Sequence, residues 1–336
     1  MPLRLATAGV GYIARLHALS LRECPGAELT AVVNHRPESA AQFAAEFGAQ
    51  LTYGSVAELL RAGQVDALLV NTPNYLHAAE TIAALEAGVH VMVEKPMAMN
   101  AAEAQAMVAA AQASGAQLMV AHCWRFEQEA NWLRAQVEAG RLGRILHTKS
   151  YGVHVAWGPS GWFTQKKLAG GGAMADMGIH AIDTTRYLLG DPRPLSVYAH
   201  IDTCYGEYDV DDTGVLTINW EGGATSYIES GWWQPHSDGA CAGTQLYGTG
   251  GFGQIYPTYL DLMQLHPTQR QHVDSGFPAQ AQYGAPQAMY TAQLNHFLSC
   301  IRSGQTPLAS GQVGLTNMQI VDAAYQSART GQVVAL

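Results

Sequence analysis

The sequence predicts an α/β fold in two parts. A parallel sheet covered by helices comes first, and an α/β domain with an open, mostly antiparallel sheet follows. Three observations carry this. The first third alternates short apolar runs with helix-like segments, as a parallel sheet with crossover helices does. The runs are continuously apolar, as in Ala67-Leu68-Leu69-Val70, so each strand is expected to be covered on both faces. After about residue 122 strands follow one another, which divides the chain into residues 1–122 and 123–336.

In the first part Leu3 to Ala8 reads as a strand, and Ile13 to Cys24 as a helix closed by Pro25-Gly26. Leu29 to Val33 is the second strand, and Pro37 to Phe47 an Ala-rich helix stopped by Gly48. Ala67 to Asn71, His90 to Val93 and Gln117 to Ala121 complete the core strands. Helices are expected over Tyr75 to Ala87 and Ala101 to Ser114. The second part opens with a helix from Glu129 to Ala139 and a long strand from Ile145 to Val155. A helix from Met174 to Leu189 follows the glycines at 170–172. Strands are expected over Leu195–Tyr205, Thr213–Trp220, Ala224–Trp232 and Thr244–Gly248, with Gly222-Gly223 as a hairpin turn. Residues 257–286 show no periodicity, and helices at Tyr290–Arg302 and Leu315–Arg329 close the chain.

Composition removes several function classes. The 336 residues are 48% hydrophobic and 13% charged, which suits a large core and excludes a disordered chain. With 18 Lys plus Arg against 27 Asp plus Glu the net charge is −9, and no basic run is present, so neither nucleic acid nor an anionic membrane is an expected partner. No stretch approaches the ~20 apolar residues of a bilayer span, and the N-terminus does not read as a signal peptide. The five cysteines are scattered without a CxxC pair, as expected of thiols in a reducing cytoplasm.

Gly9-Val10-Gly11-Tyr12-Ile13-Ala14 lies between the first strand and the first helix. In such a GxGxxA loop the first glycine makes the tight turn. The second lets a pyrophosphate reach the backbone, and the small third residue packs helix on strand. The loop therefore predicts dinucleotide binding through Gly9, Gly11, Tyr12 and Ile13. The end of the second strand selects the cofactor. An acid there would bind the ribose 2′-hydroxyl of NAD, but the sequence reads Asn34-His35-Arg36. Arg36 can pair with a 2′-phosphate, so NADP is preferred over NAD.

Two further motifs carry chemistry. Glu94-Lys95-Pro96 follows the fourth strand, which puts Lys95 at the rim where ligands bind such sheets. On the predicted helix after the three glycines, Asp176 and His180 are four residues apart and share a face, with Asp183 beside them. Such an Asp–His–Asp stripe suits proton transfer, a structural histidine held by carboxylates, or a metal. The reading taken is proton transfer without a metal.

Together these motifs resemble the Gfo/Idh/MocA family (glucose–fructose oxidoreductase, inositol dehydrogenase, rhizopine catabolism), over nearly the whole chain. The resemblance implies an N-terminal Rossmann domain and hydride transfer between a nicotinamide and a secondary hydroxyl or ketone of a sugar, polyol or sugar derivative. It implies Lys95, Asp176 and His180 as the catalytic set. His180 would take the hydroxyl proton, Lys95 would stabilise the alkoxide, and Asp183 would orient His180. Asn71, Thr72, Pro73, Asn74 and His77 would line the cofactor cleft with Glu94, Lys95, Arg125, Trp162 and Phe163. It also implies a homodimer or homotetramer formed through the C-terminal sheet.

For the substrate, Tyr151, His154, Trp157 and His236 are candidates beside Lys95, Asp176 and His180. Trp162, Trp232 and Trp233 also offer flat faces that suit a pyranose. Two other readings fit the same motifs: a glycoside-cleaving enzyme acting through transient oxidation, and a non-catalytic sugar or nucleotide sensor. The intact Lys95–Asp176–His180 set argues against the sensor.

Overall fold

The computed structural model describes residues 2–154, 158–233, 242–265, 267–278 and 286–336. The chain forms two compact units, Met1–Cys123 with Ala285–Met318, and Trp124–Gly284 with Gln319–Leu336.

The first unit holds a six-stranded sheet of β1 (Leu3–Ala8), β2 (Ala27–Val33), β3 (Leu51–Tyr53), β4 (Ala67–Val70), β5 (His90–Val93) and β6 (Leu118–Val120). All its pairs are parallel, in the order β3-β2-β1-β4-β5-β6. The strand order reverses between β1 and β4, which opens a crevice at their carboxyl ends. Its helices are α1 (Tyr12–Arg22), α2 (Pro37–Phe47), α3 (Val56–Ala62), α4 (Asn74–Glu86), α5 (Ala101–Ser114), α9 (Gln287–Ser303) and the start of α10 (Gly311–Thr330). Ala14 and Ala18 of α1 and Phe43 of α2 pack with Val32 of β2 in one apolar cluster.

The sequence did not predict β3 and α3. β3 is a three-residue edge strand with no buried residue, so it carries no apolar signal. α3 did carry one: Ser55 accepts the Glu58 amide and Glu58 accepts the Gly54 amide, in the manner of a capping box.

The second unit contains α6 (Gln128–Glu138), a short α7 (Lys166–Ala169), α8 (Ile179–Leu188) and the end of α10. Its strands are β7 (Ile145–Val153), β8 (Pro194–Asp202), β9 (Thr213–Trp220), β10 (Thr225–Gly231), β11 (Ala242–Gly248), β12 (Gly251–Ile255), β13 (Tyr259–Leu265), β14 (Thr268–Asp274) and β15 (Val334–Ala335). The order is β14-β13-β12-β11-β7-β10-β9-β8-β15, antiparallel apart from the parallel β7–β10 pair. Gly222 and Gly223, with φ of 89° and 87°, make the β9–β10 turn.

Three expectations are corrected here. The stretch read as aperiodic holds the β13–β14 hairpin, and β14 is almost wholly exposed, so no burial alternation marks it. The strand expected to reach Tyr205 ends at Asp202. Beyond it the Asp212 carboxylate accepts the amides of Cys204, Tyr205 and Gly206 at 2.7, 2.7 and 3.1 Å and turns the backbone away. The helix expected from Met174 begins as a π turn, Met174–Gly178, and becomes α-helical only at Ile179. All ten residues of α8 are buried, so this helix lies within the core. Among the described residues no helix is long and apolar enough to cross a membrane.

Candidate active site

The carboxyl ends of β1, β2 and β4 are tied together at the glycine loop. The Gly9 amide donates to the Val33 carbonyl at 3.0 Å, and the Asn71 amide to the Ala8 carbonyl at 2.8 Å. Gly9 has φ of 92°, and a Cβ there would lie 2.5 Å from the Asn71 carbonyl oxygen, so only glycine fits. At Gly11 a Cβ would meet nothing within 4 Å. Gly11 also gives α1 no side-chain cap, whereas Ser55 and Asn100 cap α3 and α5. An open approach to uncapped helix amides fits a pyrophosphate. Tyr12 is exposed beside it, and Ile13 half-buried.

At the end of β2 the Asn34 side chain accepts the Arg36 amide at 2.8 Å, which leaves His35 and Arg36 exposed at the start of α2. On the β4 side Asn71 donates to Thr7 Oγ1 at 3.0 Å, and Thr72 donates to Glu80 Oε2 at 2.7 Å. Burial pushes the Glu80 carboxyl up to about 7, against the Thr72 hydrogen bond that favours its ionised form. Pro73 precedes α4 without a side-chain capping bond, and Asn74 is buried in its first turn. His77 is buried between the Thr72 and Pro96 carbonyls, 2.7 and 2.8 Å from its two ring nitrogens, and so ties this segment to the Glu94–Pro96 turn. Burial lowers its pKa, and the two carbonyls oppose that. Glu94 is held by His17 at 2.9 Å and by the Lys95 amide at 3.1 Å. Lys95 itself is half-buried, and the Lys95–Pro96 peptide bond is cis.

In the second unit Asp176 sits in the π turn and His180 in the first turn of α8. Asp176 Oδ2 accepts the Trp232 indole N–H at 3.0 Å and lies 3.3 Å from His154 Nε2. The His180 ring stacks on Trp124 with centroids 4.6 Å apart. His154, expected from sequence to touch substrate, is thus brought to Asp176. A π turn widens the helix locally and changes which residues share a face, a feature frequent at functional sites.

A Cβ on Gly152 would run into the Met177 carbonyl, so the Gly152 face of β7 meets the π turn. Tyr151 is one residue out of phase and lies on the opposite face, beside Gly243. Trp162 and Phe163 stack on each other, with centroids 3.8 Å apart, in the turn Gly161–Thr164. Trp232 is fully buried and offers no face to a sugar, whereas Trp233 is 39% exposed. Trp157 and His236 lie outside the described residues.

Arg125 is fully buried and has no exposed surface to offer a nucleotide. Its Nε and Nη2 grip Asp183 at 2.8 to 3.0 Å, and Nη1 and Nη2 grip Asp191 at 2.8 and 2.6 Å. Burial alone would lower its pKa, but the Asp183 and Asp191 carboxylates raise it. Asp183, expected to orient His180, is therefore the anchor of this fork. Among the described residues no group of three or more His, Cys, Asp or Glu side chains is placed to hold a metal ion.

Comparison with known proteins decides the family. Residues 3–122 match the profile described as "Oxidoreductase family, NAD-binding Rossmann fold", and residues 130–252 match the "GFO/IDH/MocA C-terminal domain". The chain belongs to the Gfo/Idh/MocA family of oxidoreductases. It is 30% identical to a D-glucoside 3-dehydrogenase of Escherichia coli K12, over 100% of this chain and 98% of the relative. It is 28% identical to a 1,5-anhydro-D-fructose reductase of Ensifer adhaerens, over 99% and 98%. Among solved structures, levoglucosan dehydrogenase in complex with NADH superposes with a TM-score of 0.88 at 25% identity, covering 100% of this chain and 99% of that one.

Sequence reasoning did not find His17, Trp124 or Trp232 as partners of Glu94, His180 and Asp176. No local spacing links them, because each pair joins residues more than 50 positions apart.

Proposed function

We propose that this Gfo/Idh/MocA protein is an NADP-preferring oxidoreductase of a sugar or polyol secondary alcohol, with Lys95, Asp176 and His180 as its acid–base set. The observation that carries this is the Asp176 carboxylate, held between the Trp232 indole and His154 one helical turn before His180. The D-glucoside and anhydrofructose activities of the relatives support a carbohydrate substrate.

The nucleotide would rest on Gly9, Gly11, Tyr12 and Ile13, with Asn34, His35 and Arg36 at its ribose and the 71–74 segment beside it. Bound there, it supplies the hydride acceptor or donor. His180 takes the hydroxyl proton in oxidation and returns it in reduction. The role proposed for the Lys95 ammonium is to stabilise negative charge on an alkoxide. Asp176, oriented by Trp232 and His154, holds the substrate hydroxyl. Arg125 acts at a distance, by anchoring Asp183 on the helix that carries His180.

Support for NADP comes from the exposed Arg36 and from the absence of an acid at the end of β2. Support for a dimer or tetramer comes from the outer sheet face. There Tyr198, Thr217, Tyr227 and Lys149 form one row across β8, β9, β10 and β7, with Tyr198 and Tyr227 exposed. An exposed Cys204 thiol suits a cytoplasmic location.

The test is a thermal-shift titration with NADP(H) and NAD(H) in parallel, followed by turnover on D-glucose, D-xylose, methyl D-glucoside and myo-inositol. NADP is expected to give the larger shift, and Arg36→Ala to weaken NADP about tenfold with little effect on NAD. Stronger binding of NAD would reverse the cofactor assignment. No shift with either nucleotide, in protein free of copurified nucleotide, would sink the enzymatic reading.

A further inference from the structure

The three glycines before the catalytic helix have no role in the mechanism above. Their surroundings assign one to two residues far away in sequence. The amides of Gly172, Ala173 and Met174 all donate to Asp211, in the loop between β8 and β9. Gly172 reaches Oδ1 at 2.8 Å, Ala173 the backbone carbonyl at 2.8 Å and Met174 Oδ2 at 2.7 Å. Amides at a helix start have no partner within the helix, and here one residue takes three in succession. The Tyr325 hydroxyl on α10 donates to Asp211 Oδ1 at 2.7 Å and accepts the Gly172 amide at 3.2 Å. A Cβ on Gly171 would run into the Tyr325 hydroxyl, and one on Gly172 into the Asp211 carbonyl oxygen. The glycines are therefore required for close approach, which makes this turn a docked segment and no hinge. The Gly172 carbonyl accepts the Asp176 amide at 2.9 Å, so one hydrogen bond separates the docked turn from the Asp176 backbone.

We propose that Asp211 and Tyr325 are positioning residues, a clamp that sets where Asp176 stands to hold the substrate hydroxyl from which the proton is taken. This rests on the sugar oxidoreductase reading. The clamp fixes the backbone of the π turn, while Trp232 and His154 fix the Asp176 side chain. Asp176 is thereby held at both ends. A displacement of about 1 Å at a reacting group can cost on the order of 100-fold in rate. Loss of the clamp would therefore appear in turnover before it appears in binding. Burial and the neighbouring Asp211 hold the Tyr325 phenol well above its usual pKa, so its hydroxyl stays a donor across the working range.

The test uses full-length Tyr325→Phe and Asp211→Asn. Each is assayed for kcat and KM on whichever of the four sugars and polyols the wild type turns over. Nucleotide Kd, melting temperature and hydrogen exchange of the 172–176 amides are measured alongside. Tyr325→Phe is expected to lower kcat about tenfold or more, with KM within about threefold and nucleotide Kd within about twofold, while those amides exchange faster. Asp211→Asn, which keeps one acceptor, is expected to follow the same pattern. Should Asp211→Asn fail to fold, Tyr325→Phe decides alone. Faster exchange with unchanged kcat would make the clamp structural only and overturn the proposal, as would a kcat loss matched by an equal rise in nucleotide Kd. If the wild type oxidises none of the four compounds, the functional reading itself fails and the positioning role with it. That outcome is distinct from an active wild type with an equally active Tyr325→Phe.

Discussion

Replacing Arg125 by methionine isolates the buried ion network of the second unit. The Arg125 side chain has 0% exposure and that of Asp183 2%, so the substitution leaves a carboxylate in the core facing the gap. Removing one partner of a buried pair costs about 3–5 kcal/mol, most of it the penalty of the stranded charge. Asp191 differs. It is 27% exposed and keeps Arg134 at 3.8 Å and Arg186 at 3.9 Å, so Asp191→Asn is expected to cost only about 1 kcal/mol. The double variant Arg125→Met/Asp183→Leu removes both charges and is expected to regain most of the loss, because an apolar replacement of a buried pair is often nearly neutral. The assay is urea unfolding followed by circular dichroism, comparing midpoints at equal slope. The reasoning is refuted if Arg125→Met lies within about 1 kcal/mol of wild type, or if the double variant is no more stable than the single one.

Four other substitutions test separate links. Gly9→Ala forces a side chain into φ of 92° and against the Asn71 carbonyl, so nucleotide-induced stabilisation should disappear at a cost of about 2–4 kcal/mol in unfolding free energy; a normal thermal shift would contradict this. Glu80→Gln tests the buried carboxyl. Below pH 4.5 both states hold the proton. Between 4.5 and about 7 only the folded state does, so wild-type stability falls as pH rises by up to about 3 kcal/mol, and the glutamine variant should lack that slope. His180→Ala should lower turnover by about 100-fold or more with nucleotide affinity nearly intact, and equal loss of both would count against the proton-transfer role. Trp232→Phe keeps the buried ring but removes the N–H to Asp176, and about tenfold lower kcat/KM is expected; full activity would show that the indole only fills space.

The sequence by itself determined whatever rests on neighbours along the chain. Strands β1, β5 and β9 and helices α2 and α5 stand where their periodicity and stop signals put them, because burial on a regular element repeats at fixed spacing. Gly9 was legible for the same reason, since a tight turn at positive φ against a neighbouring backbone is a local demand that only glycine meets. The Asp176–His180 spacing was legible too, although the π turn that alters their shared face was not. Exposed edges escaped, as β14 did, because a strand that buries almost nothing leaves no apolar pattern.

Only the tertiary structure decided how the polar residues are paired. Arg125 read as a cofactor ligand and proved to be the buried partner of Asp183 and Asp191. Trp232 read as a sugar-stacking face and proved to be an indole donor to Asp176. Asp211 and Tyr325, 114 positions apart, carried no signal until one docked turn brought them together. A buried polar group must find a partner wherever the fold supplies one, and that partner is chosen by packing in space, which spacing along the chain does not record.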